Sequence, residues 1–208
     1  MSYMLISNNG QRKYLNRQEC RRFLATSATF DADTHTLCSL ILATGCRISE
    51  ALSLRHDNID LRSKSLVIEC LKKRNRGVFR TVPLPNDLLR LLRQVHGVGN
   101  YEYASGEAPL LWPFCRMTAY RRIRKVMIAA GLEGEFAMPK GLRHSFAVSA
   151  IHCQVPLNMV QRWLGHADMR TTAIYTASIG PEERHIAHRM WRRSAKLDAE
   201  AALSAQAC

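Results

Sequence analysis

Apolar residues recur along this chain at the three- and four-residue spacing of helices, and the rhythm breaks only once into alternation. Asn16–Thr26 reads as a first helix, with Asn16 as its cap and Glu19 placed to close a capping box. Thr34–Thr44 is a second, its inward set being Leu37, Leu40, Ile41 and Thr44, and Gly45 stops it. Ile48–Leu54 restarts the helix, and Asp57-Asn58-Ile59-Asp60 is turn chemistry. Ser65–Lys72 then reads as a strand, Asn75-Arg76-Gly77 as a hairpin turn and Val78–Leu84 as the returning strand. Pro85-Asn86-Asp87 opens the helix Leu88–Val95, and Gly97–Pro109 is the one long loop. Further helices are predicted over Ala119–Ala130, Leu142–Cys153 and from Pro156 to Leu164, where Gly165 is the stop. Asp168 caps a short helix reaching Tyr175. Gly180-Pro181 opens a last one, with Ile186, Met190, Leu197 and Ala201 on one stripe. The predicted class is α+β, mainly α, with a small antiparallel hairpin sheet.

Charge changes this picture more than composition does. The 208 residues are 47% hydrophobic, enough for a core without disulfides or metals, and carry 30 Lys+Arg against 17 Asp+Glu. The formal charge of +13 favours an acidic polymer as partner, most simply nucleic acid. No apolar run approaches the roughly 18 residues of a membrane span, and the N-terminus lacks the order of a signal peptide. Seven cysteines, an odd count with no C-x-x-C, read as unpaired thiols in a reducing cytoplasm. His185 and His188 form an H-x-x-H with no cysteine or acid at zinc spacing, so no metal site is expected.

Three motifs place strong polar groups beside helix ends. Arg47 follows Gly45-Cys46 and precedes Ile48-Ser49-Glu50. Arg143 adjoins Leu142 in Lys140-Gly141-Leu142-Arg143-His144-Ser145. His166 follows the stop in Leu164-Gly165-His166, and Tyr175 lies nine residues on.

In this order and spacing, from Tyr14 to Ala177, the motifs resemble those of the tyrosine recombinase (phage integrase) family. That resemblance implies the family's catalytic-domain fold over residues 14–180, after a polar leader at 1–13 and before a C-terminal helix at 181–208 that docks in cis or on a neighbouring protomer. It also implies a member without the N-terminal core-binding domain. The implied activity is site-specific DNA recombination of the integrase, invertase or resolvase type, through a 3′-phosphotyrosyl intermediate and without metal, ATP or other cofactor. A type IB topoisomerase-like enzyme and an inactive DNA-binding regulator are the alternatives. The implied partners are double-stranded DNA with inverted half-sites, further copies of the chain (a dimer on a site, a tetramer in synapsis) and an accessory DNA-binding protein.

The site residues carried by the resemblance make chemical sense. Arg47 and Arg143 offer planar, permanently charged forks to a phosphate. Tyr175 is the implied nucleophile. His166 donates to the developing charge, and a hairpin lysine protonates the leaving 5′ oxygen. That lysine is Lys72 or Lys73, with Lys72 preferred, since alternation sends the two to opposite faces. Where the family usually has histidine, this chain has Lys140, which leaves the general base open between Lys140 and water. Glu50 is expected to orient Arg47, and His144 to support the site from behind. Arg121, Arg122, Arg124 and Lys125 form a basic helix face expected to hold DNA.

Overall fold

The computed structural model describes residues 5–70, 77–99, 107–177, 187–189 and 191–192. Among these the helices are α1 Arg17–Ser27, α2 Ala32–Thr44, α3 Ile48–Leu52, α4 Asn86–His96, α5 Arg116–Ala129, α6 Pro139–His152, α7 Leu157–Leu164 and α8 Met169–Ala173. The strands are β1 Ile59–Asp60, β2 Ser65–Glu69 and β3 Phe79–Pro83, and 3-10 turns cover His56–Asn58 and Ile174–Ala177. The mainly helical α+β class expected from the periodicity is what forms. Of the predicted last helix, the described residues 187–189 and 191–192 are helical, while His185 and the four residues of the apolar stripe lie outside the described residues.

Local chemistry accounts for the helix starts. Asn16 Oδ1 accepts the Glu19 amide at 2.9 Å, and Glu19 Oε2 accepts the Asn16 amide at 2.7 Å, closing the capping box of α1. α2 begins two residues before the predicted start, because the Asp31 carboxylate accepts the Thr34 amide at 3.0 Å and so caps it. α2 is the central helix: Leu37, Cys38, Leu40 and Ile41 are sealed as it packs against α1, α4, α5 and α6. α5 starts three residues early, at Arg116, and α6 starts at Pro139, whose missing amide costs nothing at a helix's first position.

The sheet differs from a simple hairpin. β2 pairs antiparallel with β3, Leu66 facing Val82 and Ile68 facing Arg80, and β1 adds a two-residue edge strand beside β2. β1 is too short for a period to announce it. β2 also ends at Glu69 rather than Lys72; residues 71–76, with Lys72 and Lys73, lie outside the described residues. Along β3 the alternation buries Arg80 and Val82 and exposes Phe79 and Thr81.

The core has two parts. The larger surrounds α2. The smaller gathers Ala147, Val148 and Ala150 of α6, Val160 and Leu164 of α7, and Leu5, Tyr14 and Tyr175. The polar leader is therefore tied down over residues 5–13: the Lys13 amide donates to the Leu5 carbonyl at 2.8 Å and Leu5 is buried. Among the described residues Cys38, Cys46, Cys70, Cys115 and Cys153 form no disulfide, no His, Cys, Asp or Glu group gathers as metal ligands, and no helix is long and apolar enough to cross a membrane.

Candidate active site

Two helix ends converge on Arg143. Its guanidinium donates to the carbonyl of Gly45 at 2.6 Å and to that of Leu164 at 2.7 Å, so the negative C-terminal poles of α2 and α7 hold the cation. Gly45 is required there twice over. Its φ is +63°, and a Cβ would stand 2.5 Å from Phe146 Cδ1 and 2.9 Å from Leu164 Cδ2. Burial, then the neighbouring Arg47 charge, lowers the Arg143 pKa to about 10, which leaves it charged at neutral pH.

A buried carboxylate organises the other arginines. Glu50, completely enclosed, accepts the Arg47 amide at 2.8 Å and the Arg47 guanidinium at 2.7 Å. Its two oxygens also accept Arg80 of β3, at 2.6 and 3.3 Å. Burial pulls the Glu50 carboxyl upward, but the hydrogen bonds and charge of Arg80, with those of Arg47, outweigh it and hold the group below its ordinary range. Arg80 donates further to the Trp163 carbonyl at 2.7 Å and to Cys70 Sγ at 3.2 Å. One side chain thus ties α3, the root of the hairpin and the end of α7. The sequence motifs missed Arg80, although the period-two pattern of β3 puts it on the same face as Val82.

Tyr175 stands in the 3-10 turn at the end of the smaller core, 1% exposed. Its hydroxyl lies 3.0 Å from His144 Nδ1, and its ring stacks on His166 with 6.3 Å between centroids and 10° between planes. Burial raises the Tyr175 pKa against the counter-pull of Arg143 and Arg47. His166 Nδ1 meets Thr172 Oγ1 at 2.9 Å, a second contact the motifs did not announce. Burial, then Arg143 and Arg47, pushes His166 down to about 3. Burial, then Lys140, Arg143 and Lys13, pushes His144 down to about 4. Both imidazoles are neutral at neutral pH.

Arg47, Glu50, Arg143, His144, His166 and Tyr175 are thereby brought into one site from segments up to 128 positions apart (47 to 175). Lys140 is exposed on the first turn of α6, one turn before His144. The basic face of α5 divides. Arg122 donates to Asp31 at 2.6 Å and lies 4.6 Å over the Phe114 ring, and Arg124 donates to the Ala137 carbonyl. Arg121 and Lys125 are exposed beside Met117, Tyr120 and Ile128.

The profile of the phage integrase family matches residues 13–180. The chain belongs to this family. Among curated members, this phage integrase chain is 33% identical to the tyrosine recombinase XerD of Haemophilus ducreyi over 144 residues, covering 66% of the chain and 47% of that protein. It is 32% identical to XerD of Caulobacter vibrioides over 190 residues, covering 85% of the chain and 60% of that protein. The chain spans about half the length of the curated relatives it matches. In fold it is similar to a crystal structure of XerA recombinase, with a TM-score of 0.72 at 23% identity over 85% of the chain and 64% of that structure. It is similar too to the catalytic domain of bacteriophage HP1 integrase, with a TM-score of 0.60 at 20% identity over 80% of the chain and 88% of that structure. A third likeness is to XerH site-specific recombinase bound to its difH substrate in a pre-cleavage complex, TM-score 0.68 at 23% identity over 89% of the chain and 59% of that structure. The fold is that of a tyrosine recombinase catalytic domain.

Proposed function

We propose that the chain is a site-specific DNA recombinase that breaks and rejoins DNA through a 3′-phosphotyrosyl bond, without metal or ATP. The observation that carries this is the meeting of two arginines, a neutral histidine and a tyrosine hydroxyl in one site. Arg47 and Arg143 hold the non-bridging oxygens of one scissile phosphate. Arg47, whose side chain is 21% exposed against 3% for Arg80, marks the side from which the phosphate enters. His166 has Nδ1 held at the Thr172 hydroxyl, which leaves Nε2 to donate to the phosphate, where negative charge develops. Tyr175 attacks phosphorus. The 5′ oxygen leaves with a proton from Lys72 or Lys73, and Lys140 adds a donor at the mouth of α6. The phosphotyrosyl bond keeps the energy needed for religation.

Recombinase relatives, among them one solved on its DNA site, support duplex DNA as the substrate, and inverted half-sites and a cytoplasmic location go with this reading. A dimer on each site, a tetramer joining two, and an accessory DNA-binding protein belong to the same reading. The test is a trapped covalent adduct. A pool of nicked duplexes with randomised inverted-repeat arms is incubated with the full chain, and protein-linked DNA is recovered and sequenced. Adducts enriched in one inverted repeat are expected from the wild type and none from Tyr175→Phe. No enrichment, or equal adducts from Tyr175→Phe, overturns the proposal. Relaxation of plasmids without any site preference would favour a topoisomerase instead.

A further inference from the structure

We infer that His144 is the general base of this site, taking the phenolic proton of Tyr175 as its oxygen attacks phosphorus. The inference rests on the proposed function and supplies what Lys140 left open. Three features carry it. The first is contact: Nδ1 of His144 is 3.0 Å from the Tyr175 hydroxyl, with both side chains buried, so no bulk water competes for the proton. The second is elimination among the neighbours. Arg47 and Arg143 are cations without a lone pair to offer. His166 lies parallel to the tyrosine ring with its Nδ1 engaged by Thr172, and Lys140 is exposed at the start of α6 with no hydrogen bond to the Tyr175 hydroxyl among those the described residues make. The third is placement. Tyr14, Ala147 and Val148 belong to the same small core as Tyr175, which fixes the tyrosine against α6, the helix that bears His144.

The charges around His144 make the transfer depend on DNA. Lys140 and Arg143 on its own helix and Lys13 from the leader face it, and His166 and Tyr175 complete its surroundings. In the free chain burial, and after it these cations, keep the imidazole unprotonated and ready to accept. A phosphodiester anion seated on Arg47 and Arg143 offsets them and raises its basicity at the moment of attack. The step balances. The Tyr175 Oη–P bond forms, the P–O5′ bond breaks, the phenolic proton moves to His144 Nδ1, and the leaving O5′ takes a different proton from the hairpin lysine. Religation runs the same transfers backward, and His144 returns its proton to the departing tyrosine.

The role requires Nδ1 to be the bare nitrogen, with the proton on Nε2. Nitrogen-15 NMR of histidine-labelled full chain reads this directly: a pyridine-type Nδ1 signal that disappears in His144→Asn is expected, and a pyrrole-type Nδ1 overturns the inference even if no variant folds. Kinetics give the second readout, using the duplex recovered from the randomised pool. His144→Asn keeps a polar acceptor near the place of Nδ1 but no basic nitrogen. It is expected to form adduct about 100-fold more slowly, with a rate that climbs about tenfold per pH unit as Tyr175 ionises unaided. Added imidazole is expected to restore part of the rate of His144→Gly. A wild-type rate in His144→Asn, or a slow rate with an unchanged pH profile and no imidazole rescue, overturns the inference while the recombinase reading stands. If the wild type itself forms no adduct with any duplex in the pool, the underlying function is what fails.

Discussion

Arg80 grips Glu50 through both terminal nitrogens, at 2.6 and 3.3 Å, and neither side chain is open to solvent. The pair joins the strand returning from the hairpin to the helix that starts at Arg47. Removing Glu50 leaves Arg80 a buried cation without its carboxylate, and removing Arg80 leaves the enclosed Glu50 with Arg47 alone, at a cost of up to about 3–5 kcal/mol. Arg80→Met is therefore expected to lose about that much in urea unfolding. Arg80→Met combined with Glu50→Gln is expected to recover a part, because no enclosed carboxylate is left without its β3 partner. Equal losses in the single and double variants would show that the pair contributes by packing alone.

Gly45 links backbone conformation to the Arg143 cradle. Alanine there strains a φ of +63° and pushes into Phe146 and Leu164, and the latter's carbonyl also holds Arg143. Gly45→Ala is expected to destabilise by more than about 1 kcal/mol. It is also expected to reduce adduct formation at temperatures where the variant is still folded, since both carbonyls on Arg143 shift. A stability loss with unimpaired adduct formation would separate the turn from the site.

The legible parts of this chain were those whose signal is local. Asn16 and Glu19 announce α1 within four residues, and Gly45 and Gly165 end helices where the pattern stops. Local rules also misplaced edges: α2 starts at Asp31's cap because that carboxylate reaches the Thr34 amide, a choice the apolar spacing does not record. What joins His144 to Tyr175 is different in kind. The two are 31 positions apart and meet only because the small core folds the last turn against α6. Arg80 lay between these cases, visible in the alternation of β3 but masked by the many cations of the hairpin around it.

The two buried imidazoles set the acid limb of stability. His144 and His166 are lowered to about 4 and about 3 from an ordinary 6.5, so the unfolded chain binds their protons first. Their contribution is complete above pH 6.5 and is lost as pH falls through the window down to those folded values. Between pH 6 and 4 each is expected to add up to about 1.4 kcal/mol per pH unit to the slope. His35, His56 and His96 are lowered as well and add in the same direction. Urea midpoints measured from pH 8 to 4 check this: His144→Asn should flatten the curve below pH 6.5 and leave its shape above pH 7 unchanged. A curve as steep as the wild type's would mean His144 titrates normally in the folded chain.

The basic face of α5 separates into cations that hold the protein and cations exposed to solvent. Arg122 is committed to Asp31 and the Phe114 ring, and Arg124 to the Ala137 carbonyl, whereas Arg121 and Lys125 stand in solvent. A phosphate contact releases counterions, so each one lost lowers the slope of log affinity against log salt by about 1. Arg121→Gln with Lys125→Gln is expected to flatten that slope by up to about 2, with little change in urea stability. Arg122→Gln is expected to do the reverse, lowering stability by about 1 kcal/mol at a partly exposed pair and leaving the slope in place. Binding titrations of a fluorescent duplex at several salt concentrations, beside urea unfolding of the same variants, decide it. If Arg122→Gln flattens the slope as much as the exposed pair does, the Asp31 bridge yields to DNA and the whole helix face is the interface.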